Sequence, residues 1–220
     1  MNTLSDIVTT LFGENTQTVD IVILLTILTL LPSILLMLTG FTRILIVLSF
    51  VRNALGMQQT PPNQVLIGLA LFLTFFVMQP VFTRVYDEAY TPFVEGVIAQ
   101  DEFIERAMTP TREFMIDQVF DTDLDFFIGL SGLEIEDVTQ TPNSVLIPAF
   151  LTSEIKWAFW VGFLIYIPFI VIDMIVASTL MAMGMMMLPP AMISLPFKVL
   201  LFVLVDGWQL IIGSIITTFN

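Results

Sequence analysis

Five charged side chains lie within or beside long apolar stretches of this sequence: Glu154, Lys156, Asp173, Lys198 and Asp206. At such positions a charge has to face protein or water, and groups of this kind serve as proton relays, ion paths or buried ion pairs. For Asp173 and Asp206 both a relay and an ion pair are open. Lys198 calls for a carboxylate, which Asp173, Asp206, Glu154 or a residue of another subunit can supply. The other chemistry-bearing residue types are missing. The chain has no His and no Cys, so it lacks the commonest general base, the usual metal ligands and any thiolate nucleophile. No glycine-rich phosphate cradle occurs either. An enzyme is not expected, nor a cofactor. Asp121-Thr-Asp123-Leu-Asp125 has the look of a calcium loop. Such a loop needs glycine at its sixth position and glutamate at its twelfth, and here those are Phe126 and Gly132. It reads instead as a solvated acidic helix start.

Gly184-Met185-Met186-Met187, followed by Leu188-Pro189-Pro190, is the other unusual grouping. Three consecutive methionines point to all sides of a helix, so they do not serve one packing face. Methionine is unbranched and polarizable, which suits a deformable contact surface. On sequence grounds alone, apolar filling beside a turn is the plainer reading.

The elements that must position these residues follow from composition. The 220 residues are 56% hydrophobic and 12% charged, with a mean hydropathy of +0.93. Soluble domains run near a quarter charged, and a soluble fold of this size could not hide so much apolar surface. Apolar runs cover roughly residues 21–51, 65–82, 157–188 and 191–219, against about 20 residues for one bilayer crossing. The first run carries Pro32, Gly40 and Arg43. The last two carry Pro168, Asp173, Pro189, Pro190, Pro196, Lys198 and Asp206 and are expected to be broken there. Lipid cannot satisfy the backbone groups that prolines free, so bends at this depth need protein neighbours. One chain has too few interior faces for all these groups, which implies an oligomer.

The fold expected is an all-α membrane protein with about four apolar helical segments, several kinked or hairpin-like. A helical acidic insert separates the second from the third. Residues 1–20 place Leu4, Ile7, Val8, Leu11 and Phe12 on one face of an amphipathic helix, without the basic start of a secretory signal. Residues 21–83 make a first membrane hairpin, 84–153 the insert, and 154–220 a second hairpin with the Met-rich turn. Fourteen of the twenty acids but two of the seven bases lie between Asp87 and Asp137. So acidic a stretch argues against nucleic-acid binding. Arg43 and Arg52 flank the acid-free connection RNALGMQQTPPNQ, which the positive-inside bias puts in the cytoplasm and the insert outside. Within the insert, Thr109-Pro110 reads as a helix start and Thr122 with Asp125 as a capping box. Ser131-Gly132 reads as a helix end, and Thr141-Pro142 as the opening of a further helix.

FTRILIVLSFVRNALGMQQTPPNQVLIGLALFLTFFVMQPVF (41–82), IPAFLTSEIKWAFWVGF (147–163) and MGMMMLPPAMISLPFKVLLFVLVDGWQLIIGS (183–214) resemble the FliP family, the flagellar branch of the type III secretion export gates. The similarity runs from about residue 20 to the C-terminus and is weakest across the insert. It implies a ring of five copies joined to FliQ- and FliR-type membrane subunits at the flagellar basal body in the bacterial inner membrane. Unfolded flagellar subunits would pass through its pore, with lipid around it. The Met-rich turn matches the family's gasket, so Met185, Met186 and Met187 are carried over as pore-constricting residues. The alternatives are a virulence export gate and a proton- or ion-coupled transporter. A transporter would predict internal repeats, and none is evident.

Overall fold

The computed structural model describes residues 25–26, 29–30, 33–34, 36–57, 59–135, 137–185 and 187–219. The amphipathic helix expected at 1–20 lies outside them. Every regular element among the described residues is helical.

The centre of the molecule is α1, Phe41–Ala54. Its buried residues Phe41, Ile44, Val47, Leu48, Val51 and Ala54 recur every three or four positions, as a helix with a core-facing stripe requires. Helix α2, Asn63–Val85, lays Leu66, Ala70 and Leu73 against it. After α2 the chain makes a π-helical turn, Tyr86–Tyr90, into the short α3, Thr91–Val94. Helices α4, Gln100–Gln118, and α5, Asp121–Ser131, hold most of the acid-rich stretch. Helix α6, Asn143–Ala182, adds Ala158, Val161 and Phe169 to the core around α1. Helices α7, Pro190–Leu204, and α8, Gly207–Thr217, close that core with Phe202, Ile211 and Ile215. A second cluster, Met115, Leu124, Leu146, Ala149 and Phe150, joins α4 and α5 to the start of α6.

Among the described residues, two rods are long and apolar enough to cross a membrane: Asn63–Val94 and Asn143–Ala182, each with a mean hydropathy of 2.3 over its most apolar part. At 1.5 Å per residue they reach about 48 and 60 Å, well beyond a hydrocarbon core of about 30 Å. Helices α7 and α8 together also pass for a span, bent by 67°.

Proline and threonine behave differently from the sequence reading at three places. Helix α6 runs unbroken through Pro148 and Pro168 and past Asp173. One proline removes a single backbone donor, and packing on α1 and α7 holds the helix through it. The last apolar run bends at Asp206, whose φ is +50°, as expected, but α7 runs unbroken through Pro196 and Lys198. In the acid-rich stretch, Pro110 lies buried within α4 instead of opening a helix, and Thr109 returns its hydroxyl to the Glu105 carbonyl at 3.0 Å. Helix α5 begins at Asp121 after Phe120, with no side-chain cap, so the Thr122–Asp125 box does not form. It ends at Ser131-Gly132, and α6 opens just after Thr141-Pro142, both as the sequence predicts. That opening is pinned from α4. Arg112 donates to the carbonyls of Thr139 (3.0 Å) and Thr141 (2.6 Å) and to Asn143. Ahead of it, the exposed Asp137 accepts from the Thr139 amide and hydroxyl, which holds its carboxyl below the usual range.

Helix α6 packs tightly on Phe50 of α1 at Gly162. A Cβ there would lie 2.5 Å from Cδ2 and 2.6 Å from Cγ of Phe50, so no larger residue fits without moving a helix. Gly162→Val is expected to cost about 1–3 kcal/mol through overpacking. The effect reads out as a lower unfolding temperature in detergent. An unchanged unfolding temperature would mean that this contact does not hold the two helices.

Candidate functional site

The most demanding polar group is Arg43, one turn into α1 and 1% exposed. A guanidinium carries five N–H donors, and each finds an acceptor. Nε donates to Glu154 Oε2 at 3.2 Å and one terminal nitrogen donates to Glu154 Oε1 and to Gln118 Oε1 (3.1 Å). The other donates to the Thr218 carbonyl at 3.0 Å and its hydroxyl at 3.2 Å. The guanidinium carbon also sits 4.0 Å from the ring centroid of Phe219 and 5.4 Å from that of Trp157, a cation–π sandwich. Gln118 completes the knot by donating to the Phe219 carbonyl at 3.3 Å. Four distant parts of the chain therefore meet on one cation. The sequence reading placed Arg43 beside the 52–64 connection. In the structure it stands at the opposite end of α1, about 13 Å from Arg52 along the helix, and only Arg52 reaches the connection, donating to Asn63 at 2.5 Å. The signal that could have found Arg43 was a lone base in an apolar run matched by a lone acid, Glu154, in another.

Lys198 meets Asp173 across the α6–α7 pair. Its ammonium donates to Asp173 Oδ2 at 2.6 Å and to the Ala54 carbonyl at 3.1 Å, while the Ser194 hydroxyl donates to Asp173 Oδ1 at 2.5 Å. The Ala54 carbonyl belongs to the last turn of α1, where the helix dipole favours a cation. Lys198 thus ties three helices together. The remaining base of the five, Lys156, is half exposed and pairs with Asp123 on α5. Asp123 is fixed in turn by the Ser153 hydroxyl at 2.8 Å. Asp206 stands apart at the α7–α8 bend, on an exposed groove of about 480 Å³ with Gln209, Ser214 and Thr217.

The Met-rich turn forms by two opposed local rules. Gly184, at φ +74°, ends α6 in a left-handed conformation, with the Gly184 amide on the Met181 carbonyl (3.0 Å) and the Met185 amide on the Leu180 carbonyl (3.0 Å). That is a Schellman end, which a β-carbon would strain. Pro190 then opens α7 at its first position, where no amide is needed. Between stop and start the side chains have no core to enter. Met183, Met185 and Met187 are exposed, Met187 to 98%. Met186 lies outside the described residues. Leu188 and Met192 continue the exposed apolar surface.

Removing one partner of a buried ion pair strands the other, at about 3–5 kcal/mol. Glu154→Leu is therefore expected to destabilise the subunit strongly, and Arg43→Met with Glu154→Leu to recover a substantial part of the loss. Thermal unfolding in detergent measures both. Single and double variants as stable as the parent would show that the knot does not hold the helices.

Residues 24–215 match the model of the FliP family. The chain is 59% identical over 205 residues to the flagellar biosynthetic protein FliP of Pectobacterium carotovorum subsp. carotovorum, covering 93% of this chain and 80% of that protein. It is 51% identical to FliP of Bacillus subtilis over the full length of both, and 54% identical to that of Cereibacter sphaeroides over 91% of this chain and 67% of the relative. With this match over most of its length, and with helices among the described residues long and apolar enough to cross a membrane, the chain belongs to the FliP family.

Proposed function

We propose that this chain is a pore-forming subunit of the flagellar type III protein export gate, passing unfolded flagellar subunits across the bacterial inner membrane at the basal body. It acts as a structural component and not as an enzyme. The observation that carries the reading is the Met-rich turn, which stands out from the end of the α6–α7 hairpin with Met187 almost fully exposed. A polypeptide-wide pore that stayed open would leak ions, so it needs a closure that yields. Methionines from several copies, each with three rotatable bonds, fill an irregular opening. An apolar constriction stops ions by dewetting, with no charged ring.

Assembly is the second support. The apolar faces of α2 and α6 expose Phe72, Phe76, Trp160, Phe163 and Met174 along rods longer than a bilayer is thick. Five copies with FliQ- and FliR-type subunits would cover them. In this arrangement residues 21–83 and 154–220 act as the two membrane hairpins and the acidic stretch 84–153 lies outside the cytoplasm. The transporter alternative loses support because Asp173 is engaged by both Lys198 and Ser194. The relatives' flagellar names favour the flagellar gate over a virulence one.

Replacing Met185, Met186 and Met187 together with alanine is expected to raise ion conductance through the closed assembly while copy number and partners stay unchanged. Conductance across vesicles holding the purified assembly is the measurement. A triple-alanine assembly as tight as the parent would assign these methionines to mere filling.

A further inference from the structure

Six of the thirteen methionines fall within twelve residues, at 181, 183, 185, 186, 187 and 192. The five of these that are described, at 181, 183, 185, 187 and 192, are all exposed. Elsewhere in the fold, Met78 on α2 and Met115 on α4 are 1% and 0% exposed. Met37 and Met174 are exposed singly elsewhere, so the turn is set apart by gathering five accessible thioethers in one place, while Met78 and Met115 are shielded in the cores. It has no cysteine to react first with an oxidant.

We propose that the Met-rich turn is a reversible oxidation site, at which a hydroperoxide converts the exposed Met185 and Met187 to sulfoxides and so unseats the ion seal. The inference rests on the gate reading above. In the reaction a thioether sulfur attacks the terminal oxygen of the hydroperoxide. An S=O bond forms, the O–O bond breaks, and the leaving oxygen departs as water or alcohol after taking up the proton. Sulfur loses two electrons and the peroxide gains them. The product replaces an apolar, flexible side chain with a polar, chiral one. A seal that works by repelling water then acquires a strong hydrogen-bond acceptor on each copy, several times over. Water enters where the parent is dry, and ions follow. Methionine sulfoxide reductases reverse the change, so the state of the gate follows the peroxide level at the membrane.

The accessible set is not diluted by packing demands elsewhere. Gly184 and Pro190 make the turn by backbone rules alone, so oxidation there alters the seal without unfolding the hairpin. Oxidation of Met78 or Met115 would instead disrupt a core.

The experiment uses the purified assembly reconstituted in vesicles and treated with hydrogen peroxide. Peptide mass spectrometry locates the added oxygen, and ion conductance reads the seal. Sulfoxide is expected on the 181–192 peptide while Met78 and Met115 stay intact. Conductance should rise severalfold and fall back after treatment with the reductases. Met185→Leu, Met186→Leu and Met187→Leu together keep an apolar seal that cannot be oxidised, and peroxide should leave this variant tight. Full oxidation of the turn with no change in conductance would overturn the proposal, as would an equal peroxide response in the leucine variant. Oxidation of Met78 and Met115 ahead of the turn would overturn it too. The gate reading itself falls on a different result, a tight triple-alanine assembly.

Discussion

A guanidinium can sit in an apolar core only when all of its donors are matched, because an unpaired charge there costs several kcal/mol. Arg43 meets that condition with Glu154 from α6, Gln118 from α4 and Thr218 just past α8. None of these partners is near it in sequence, so the requirement fixes where each of those helices ends relative to α1. Gly40, just before α1, leaves the space that the Phe219 ring fills beneath the cation; a Cβ there would lie 2.4 Å from that ring. Lys198 repeats the logic at the other end of α1, where it caps the Ala54 carbonyl while paired with Asp173. The central helix is thus held at both ends by charges from the helices around it. Such pairs contribute little net stability over apolar packing of the same shape. Their effect here is registry, since a helix shifted by one turn would leave a cation stranded.

That registry leaves the outer faces free for neighbours. The buried cations Arg43 and Lys198 are paired within the subunit, and the large exposed side chains along the middle of α2, α6 and α7 are mostly apolar. Rods of about 48 and 60 Å cannot be covered by a bilayer of about 30 Å alone, which leaves apolar surface for further subunits to cover. The Met-rich turn sits at the far end of α6 from the Arg43 knot, about 45 Å along the helix from Glu154.

Much of this was legible in the sequence. Composition dictates a helical membrane protein, and Gly184 followed by Pro189-Pro190 dictates a turn at the methionines. The lone mid-span charges signal ion pairs, though not who pairs with whom. That Lys198 chooses Asp173 over Asp206 depends on α6 and α7 packing side by side, a tertiary fact with no local signature. Pro110 and Pro168 mislead for the same reason. A proline is a helix breaker when its helix stands alone, and neighbours that bury the flanking residues outweigh the one lost hydrogen bond. The bend at Asp206 falls on a residue the sequence marks as a break, and its left-handed backbone, a conformation costing about 1–3 kcal/mol, is one that aspartate adopts more often than most residues. What the sequence does not show is that Pro196 and Lys198 leave α7 intact.

This subunit pairs its buried charges internally and leaves its apolar faces to other subunits. Native mass spectrometry of the complex, extracted in mild detergent with its partner subunits co-expressed, tests this arrangement most directly. A single large species containing several copies of this chain together with the smaller membrane subunits is expected. A monodisperse monomer under those conditions would contradict it.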